Sequence, residues 1–249
     1  MTGTGKNIII LNDIDSTNNY ANRLIVSKQA VEGTVVLAYN QKEGRGQHGS
    51  SWESEPGKNI LMSIVLFPEF LAVENQFLIS KIVSLALADF LKNEIDIDNV
   101  SIKWPNDLYV GDKKIAGILI ENSVQGRTIY SSVLGIGLNV NQEQFFSNAP
   151  NPVSLKKITG KNYDIEILAA KITDLIFEYY HKLKQGETDL INSRYFDKLF
   201  RKNIRCKFRK KGLEFEAIIT GIGEFGQLQL KNKDGIVSEY MFKEVEYVI

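Results

Sequence analysis

"EGRGQHGSSW", residues 43–52, carries glycines at positions 44, 46 and 49, which is a full G-x-G-x-x-G spacing. The segment before it, "GTVVLAYN" (33–40), is rich in β-branched and aromatic residues and predicts a strand. The segment after it contains Pro56 and Gly57 and then "NILMSIVLF", which predicts a second strand. A dinucleotide-binding loop must open into a helix whose N-terminus holds the pyrophosphate. The flanking strands therefore exclude that kind of site.

The glycine-rich loop of a protein kinase does lie between two strands, but it is followed by V-A-I-K, H-R-D and D-F-G signatures. None of these occurs in this chain. What remains is a glycine-rich loop that carries Arg45 and His48. Its glycines allow backbone N–H groups to approach an anion, and Arg45 adds a charge-assisted donor. Taken alone, the loop is either an anion-binding element or an ordinary glycine turn.

Composition limits the classes of function. The 249 residues suffice for one large domain, or for one domain with a small module, and 43% of them are apolar. Basic and acidic residues number 30 each, which argues against a dedicated nucleic-acid binder. Cys206 is the single cysteine and His48 and His181 are the two histidines, so a disulfide framework and a His/Cys metal centre are disfavoured. With no signal pattern and no apolar run of ~18 residues, we expect a soluble cytoplasmic protein that does not enter membranes.

Hydrophobic periodicity predicts the order of the elements. Strands are expected at 7–11, 100–110, 113–122 and 127–141, and helices after Ser16 or Thr17, at 74–92 and at 164–184. After about residue 198, short strands alternate with glycine-rich turns, which predicts a small β-barrel. We therefore divide the chain into a catalytic domain, 1–198, and a C-terminal β domain, 199–249.

Three further segments are open to two interpretations each. "KWPND" (103–107) forms either a rigid corner that presents polar groups or an ordinary strand-end turn. In "KKIAGIL" (113–119), strict alternation places Lys114 on the face of Ala116 and Ile118. Lysine is rarely fully buried unless it is paired, so Lys114 is either functional or an edge lysine that extends to solvent. "GIGLN" (135–139) indicates close backbone approach, either to a ligand or to a neighbouring strand.

The basic run "RKNIRCKFRKK" (201–211) resembles a nucleic-acid patch. However, Ile204, Cys206 and Phe208 alternate with basic residues, which predicts a half-buried strand with one solvated face.

Five segments together resemble biotin protein ligase in their order and spacing. They are "IDSTN" (14–18), "YNQKEGRGQHGSSW" (39–52), "KWPNDLY" (103–109), "KKIAGIL" (113–119) and "GIGLNVN" (135–141). The resemblance runs from about residue 8 to the end of the chain. It implies an α+β fold, in which a mixed β-sheet catalytic domain with packed helices, of the biotin/lipoate ligase type, is followed by a small SH3-like β-barrel.

The resemblance implies an ATP-dependent biotin ligase that works in two half-reactions. Biotin and ATP, with Mg²⁺ on the triphosphate, give biotinyl-5′-adenylate and pyrophosphate. The adenylate then acylates one lysine in the biotin carrier domain of a biotin-dependent carboxylase. Since biotin's carboxylate is already ionised, the first step needs cations rather than a general base. Arg45 and Lys114 are the implied catalytic residues.

The resemblance also implies two sets of binding residues. Around biotin it places Ser16, Thr17, Asn18, Gln41, Gly44, Arg45, Gly46, Gln47, Lys114 and Gly117. Around ATP it places Arg45, Trp52, Lys103, Asn106, Lys114 and Asn139. No fixed protein site for a metal is implied. The glycine loop is expected to close as a lid, because the mixed anhydride hydrolyses readily.

The chain departs from the family pattern in two ways. Family loops often carry arginine where this chain has Gln47, and often a basic residue at Ser50, so a weaker grip on the adenylate is expected. Many relatives also carry an N-terminal winged-helix domain, whereas only seven residues precede the "IIIL" strand here. We therefore expect no sequence-specific DNA binding.

The alternatives to a biotin ligase are a lipoate–protein ligase, which shares fold and adenylate chemistry, and a non-catalytic biotin-binding sensor. The sequence leaves open whether the chain forms a homodimer.

Overall fold

The computed structural model of the chain describes residues 7–146 and 151–248. The α-helices are α1 (Thr17–Val26), α2 (Phe77–Asp89), α3 (Leu155–Thr159), α4 (Ile165–Lys184) and α5 (Thr188–Asp197). The first seven strands are β1 (Ile8–Ile14), β2 (Val35–Gln41), β3 (Ile60–Leu66), β4 (Val100–Lys103), β5 (Asp107–Val110), β6 (Lys113–Gln125) and β7 (Thr128–Leu138). The last five are β8 (Arg205–Lys210), β9 (Leu213–Ile222), β10 (Leu228–Asn232), β11 (Val237–Tyr240) and β12 (Glu246–Tyr247).

The first seven strands form one mixed sheet in the order β1-β2-β3-β7-β6-β5-β4. β1 pairs with β2 in parallel, and the other pairs are antiparallel. α2 and α4 pack together over one face of this sheet and enclose the main core, and α1 covers part of the opposite face. α2 is apolar around most of its circumference because it is buried between the sheet and other helices. The predicted mixed sheet with packed helices is confirmed.

Alternation along β7 sets up the site. Leu134, Ile136 and Leu138 belong to the main core. Val133 lies on the other face, in the cluster beneath α1. Gly135 and Gly137 follow on that same face, because successive side chains of a strand point to opposite faces. On the α1 face, β7 is therefore covered by a packed side chain at Val133 but carries no side chain at Gly135 and Gly137.

Several element boundaries differ from the sequence prediction. The predicted strand at 100–110 is two strands, β4 and β5, since the Trp104–Asn106 corner interrupts it and Pro105 has no N–H to continue a ladder. The predicted helix at 74–92 becomes α2, preceded by a short 3₁₀ turn and followed by a π-helical turn, Phe90–Glu94. α3 and α5 were not predicted: α3 has five residues, and α5 carries only two buried side chains, so neither shows a long apolar period.

The predicted face of Lys114 is wrong. β5 and β6 are in register at Leu108 and Ala116, but the next pair is Tyr109 with Lys114. Ile115 is therefore an extra residue, a β-bulge, and its side chain is fully buried in the main core. The bulge reverses the alternation, so that Lys114 shares its face with Gly117 rather than with Ala116.

The C-terminal strands form an antiparallel sheet in the order β11-β10-β9-β8-β12. This second sheet agrees with the expected SH3-like module. It contacts the first sheet at the "KWPND" corner, where Trp104 Nε1 donates to the Gly226 carbonyl at 2.8 Å. In the basic run, Phe208 is buried and Cys206 half-buried, as the alternation predicts, but Ile204 is exposed because it precedes β8.

The division of the chain into two domains, 1–198 and 199–249, stays a prediction. Within the described ranges, no helix is long and apolar enough to cross a membrane.

Candidate active site

A cavity of about 220 Å³ opens on the α1 face of the first sheet. It is bounded by the start of α1, the end of β2, the glycine loop, the start of β5, the first half of β6 and the last part of β7. The side chains and backbone that line it include Ser16, Thr17, Asn18, Gln41, Arg45, Gly46, Gln47, Ser50, Ser51, Trp52, Asn106, Asp107, Lys114, Gly117, Leu119, Gly135 and Gly137. The fold therefore brings all five sequence segments together around one concavity. The "GIGLN" segment contributes backbone at Gly135 and Gly137.

The three glycines of β6 and β7 make room for two large side chains. A Cβ atom at Gly137 would lie 2.7 Å from Trp52 Cζ2, and one at Gly117 would lie 2.8 Å from Trp52 Cζ3. At Gly135 a Cβ atom would lie 3.0 Å from Asn18 Cγ. Trp52 thus lies flat against one part of the sheet and Asn18 against the adjacent part. The "GIGLN" glycines are explained by this close approach of side chains to the strand.

Hydrogen-bonded polar side chains form the α1 end of the cavity. The Gln41 carbonyl oxygen accepts from the Thr17 backbone N–H at 2.7 Å and from the Thr17 hydroxyl at 3.0 Å. The hydroxyl of Ser63, on β3, lies 2.8 Å from that of Thr17 and donates to Asn18 Oδ1 at 2.6 Å. Asn18 Nδ2 donates to the Leu119 carbonyl at 3.3 Å. Because these groups are buried or half-buried and tied to one another, their directions are fixed before any ligand arrives.

The glycine loop is a short hairpin. Trp52 N–H donates to the Gly44 carbonyl at 2.9 Å, and Gly46 N–H donates to the Ser50 carbonyl at 2.7 Å. Arg45, at its edge, pairs with Glu121 of β6, with 2.9 Å between Nη2 and Oε1. The Glu121 carboxylate also accepts from Asn18 Nδ2 at 3.0 Å. One carboxylate therefore joins the loop to the polar end of the cavity.

A second cation lies beside Trp52, at the end of the glycine loop. Lys114 Nζ lies 2.7 Å from Asp107 Oδ1, and both side chains are mostly buried, with 20% and 17% exposed. Lys114 Nζ is also 5.6 Å from the centroid of the Trp52 ring. Asn106 donates to the Ile118 carbonyl at 2.8 Å, which fixes the corner beside Asp107. The cavity thus contains two ion pairs, and a ligand with its own negative charges would find both cations already positioned.

Three residues from the predicted sets do not line this cavity. Asn139 is 3% exposed, and its amide donates to the Val153 carbonyl at 3.0 Å, so it joins β7 to the segment before α3. Lys103 Nζ lies 3.2 Å from Tyr109 Oη and 5.3 Å from the Tyr247 ring centroid, toward the second sheet. Burial there lowers the pKa of Lys103. Gly44 is the first residue of the hairpin, and a Cβ atom there would lie 2.7 Å from the Trp52 carbonyl oxygen.

Sequence reasoning missed three polar residues of the site. Asp107 belongs to the "KWPND" segment, but its pairing with Lys114 depends on the register of β5 and β6. Glu121 lies beyond "KKIAGIL" and carries no local signal. Ser63 lies in an apolar strand, where a single buried hydroxyl is the one clue that a polar partner is near.

Comparison with known proteins gives a family match. The model of the biotin/lipoate A/B protein ligase family matches residues 11–139, more than half of the chain. The biotin–[acetyl-CoA-carboxylase] ligase of Paracoccus denitrificans is 30% identical over 227 residues, which cover 89% of this chain and 92% of that protein. The bifunctional ligase/repressor BirA of Bacillus subtilis is 28% identical over 245 residues, which cover 95% of this chain and 73% of that protein.

A solved structure agrees with the sequence matches. The biotin protein ligase of Aquifex aeolicus, in complex with biotin and ATP, superposes with a TM-score of 0.81 at 27% identity. The superposition covers 98% of this chain and the whole of that one.

Proposed function

The chain belongs to the biotin/lipoate A/B protein ligase family, and we propose that it is a biotin–protein ligase that activates biotin with ATP and transfers it to a carboxylase carrier domain. The observation that carries this proposal is the cavity on the α1 face of the sheet. It holds neutral donors and acceptors at one end and two positioned cations, Arg45 and Lys114, beside the glycine loop.

The polar end suits biotin's ureido ring. That ring presents one acceptor and two donors, and Thr17, Gln41 and Asn18 offer hydroxyl and amide groups held in fixed directions. Ser16, Gln47 and Gly117 line the same space. We propose that the ring lies at this end and that the valerate chain extends toward Lys114.

The first half-reaction needs two anions held close together. A biotin carboxylate oxygen attacks the α-phosphorus of ATP, a P–O bond forms, and the bond to pyrophosphate breaks. Arg45 and Lys114 offset the repulsion between carboxylate and phosphate and stabilise charge that develops at phosphorus. Trp52 and Asn106 would contact the nucleotide. Mg²⁺ would come with the triphosphate and neutralise part of its charge, and we assign it no protein ligand.

In the second half-reaction, the amine of the carrier lysine attacks the acyl carbonyl carbon. An amide bond forms, the bond to AMP breaks, and the amine loses its proton. The adenylate must be kept from water until the carrier arrives, and the hairpin of residues 44–52 is placed to cover it. Sequence-specific DNA binding is not part of this proposal, and a cytoplasmic location is proposed from the family's chemistry alone.

Biotin-dependent exchange of labelled pyrophosphate into ATP tests the proposal. Exchange is expected with biotin, whereas lipoate, which has no ureido group, should be rejected by ~10⁴-fold, because the buried polar groups would lose their partners. A matched reaction with Lys114→Met provides the control for contaminating activity. Equal exchange with lipoate would identify a lipoate ligase. Binding of biotin without exchange would identify a non-catalytic sensor.

A further inference from the structure

A second concavity lies on the opposite side of the first sheet. It has a volume of about 760 Å³ and lies between α2, the turn that joins α4 to α5, and the end of β9. Its apolar walls include Leu71, Phe77, Leu78, Leu183, Phe196 and Ile222. Of the residues that the structure describes, none lines both this concavity and the cavity on the α1 face. We call it the Lys81 groove, after the one lysine that is buried in it.

Lys81 projects from the apolar helix α2 and is only 8% exposed. Its Nζ donates to Asn192 Oδ1 at 2.7 Å and lies 5.5 Å from the Phe77 ring centroid and 5.7 Å from that of Tyr195. Among residues 7–146 and 151–248, no carboxylate lies within ion-pair distance of it. Lysine is rarely this deeply buried without a counter-ion.

The amide and the two rings compensate this charge only in part, because none of them carries a negative charge. Desolvation lowers the pKa of Lys81 to about 8, and no acidic side chain in the described part of the chain raises it again. Methionine or leucine would fill the same space in α2 without that cost. A buried cation that lines a cleft and has a lowered pKa is a candidate for contact with a ligand.

The charges at the rim restrict the ligand to a single negative charge. Lys184 is the other lysine of the groove, and it already lies 3.9 Å from Glu32 and 4.8 Å from the Tyr180 ring centroid. Glu224, exposed at the rim, would repel a second negative charge. Among the described residues of the groove, a dianion such as phosphate would therefore lack a second cation, whereas a carboxylate would match Lys81.

The walls select for an apolar body. The groove has the volume of a small-molecule site, and aliphatic and aromatic side chains form the largest group of its lining, beside polar side chains that include Lys81, Thr188 and Asn192. Thr188 and Asn192 carry the hydroxyl and amide groups that would accompany Lys81. We propose that the Lys81 groove binds a small monocarboxylate with an apolar body, with its carboxylate paired to Lys81 Nζ.

Calorimetric titration of the full-length chain with 4-phenylbutanoate tests this proposal, with 4-phenylbutanol as the neutral probe of the same shape. The acid should bind saturably at one site, and the alcohol at least ~10-fold more weakly, because it cannot form the charge-assisted pair. Lys81→Met should weaken binding of the acid to the level of the alcohol. Lys184→Met is the matched control at the rim and should bind the acid within about twofold of the wild type.

An NMR titration of the Lys81 side chain in the unmodified protein provides a measurement that does not depend on a variant. The bound acid should raise the pKa of Lys81 from about 8 toward its ordinary value of 10.5. Equal affinity for acid and alcohol, unchanged binding in Lys81→Met, or an unchanged Lys81 pKa at saturating acid would each overturn the proposal. None of these measurements needs ATP or ligase activity, so the result is independent of the function proposed for the first cavity.

Discussion

Alanine at Gly137 and alanine at Gly135 should affect different substrates, although the two positions lie two residues apart on one face of β7. A Cβ atom at Gly137 would lie 2.7 Å from Trp52 Cζ2 and 2.8 Å from Trp52 Nε1. At Gly135 it would lie 3.0 Å from Asn18 Cγ and Nδ2. The first substitution therefore displaces the ring proposed for the nucleotide, and the second displaces the amide proposed for biotin.

The size of the effect follows from these distances. Carbon atoms in contact prefer a separation of ~3.5–4.0 Å, so the Trp52 ring must move by about 1 Å. A misplacement of that size in a catalytic site costs ~10²-fold in rate, or about 2.7 kcal/mol. We expect Gly137→Ala to lower kcat/KM for ATP by this factor and to leave the KM for biotin nearly unchanged. Gly135→Ala should raise the KM for biotin by ~10- to 100-fold, because Asn18 is tied to Ser63 and Glu121 and cannot move freely.

The assay is pyrophosphate exchange with one substrate varied while the other is saturating. A double-mutant cycle isolates the cause: in a Trp52→Ala background, the additional Gly137→Ala change should cost little, because the ring that it displaces is absent. If both alanines affect the same substrate, or if the Gly137→Ala cost persists without Trp52, the assignment of the two halves of the cavity is refuted.

Four further predictions concern charged and polar groups. Lys114→Met and Arg45→Ala should each slow formation of biotinyl-adenylate by ~10²–10³-fold in protein that is still folded by circular dichroism, as measured by chromatography of the labelled product, because each removes a cation that lines the cavity. Glu121→Gln removes the ion pair with Arg45 and should let trypsin cut after Arg45 faster in the ligand-free protein. The increase should be only a few-fold, since a half-exposed ion pair contributes ~0.2–1 kcal/mol. An unchanged rate would mean that the pair does not hold the loop. Gln47→Arg should slow release of preformed biotinyl-adenylate by ~10-fold, because it exchanges a neutral donor for a charged one; equal release rates would place Gln47 outside the clamp. The pKa of Lys81 is lower in the folded chain than in the unfolded chain, so the unfolded chain binds more protons between pH 8 and 10.5. The free energy of unfolding should therefore rise with pH across this window, by up to ~3 kcal/mol. Urea denaturation at several pH values measures this rise, and Lys81→Met should lack it.

Local patterns were sufficient to predict the principal elements. The β-branched runs became β2 and β3, with the glycine loop between them, and the amphipathic period became α4. α4 begins where Asp164 accepts from the Ile167 N–H at 3.0 Å, so a cap confirms the boundary that the sequence indicated. The glycines of "GIGLN" also predicted close approach to the strand, although not that Asn18 and Trp52 were the groups that approach.

Pairing across the sheet could not be read from the sequence. The bulge at Ile115 reverses the face of Lys114, and period-two alternation has no means of showing an inserted residue. Asp107 meets Lys114 only through that register, and Glu121 meets Arg45 only because β6 continues past the glycine loop. The apolar period of α2 gives no sign of a role for Lys81, because whether a buried lysine has a counter-ion among the described residues depends on the elements packed around it.

The most direct test of the central claim is a two-stage reaction on the purified chain. Enzyme, biotin and ATP labelled in the α-phosphate are first incubated without acceptor, and a biotin carrier domain is then added. We expect labelled biotinyl-adenylate in the first stage. In the second stage we expect its conversion to an equal amount of labelled AMP, with biotin attached to one carrier lysine. Adenylate that forms but is never consumed by the carrier, or carrier modification without a preceding adenylate, would contradict the proposed two-step ligation.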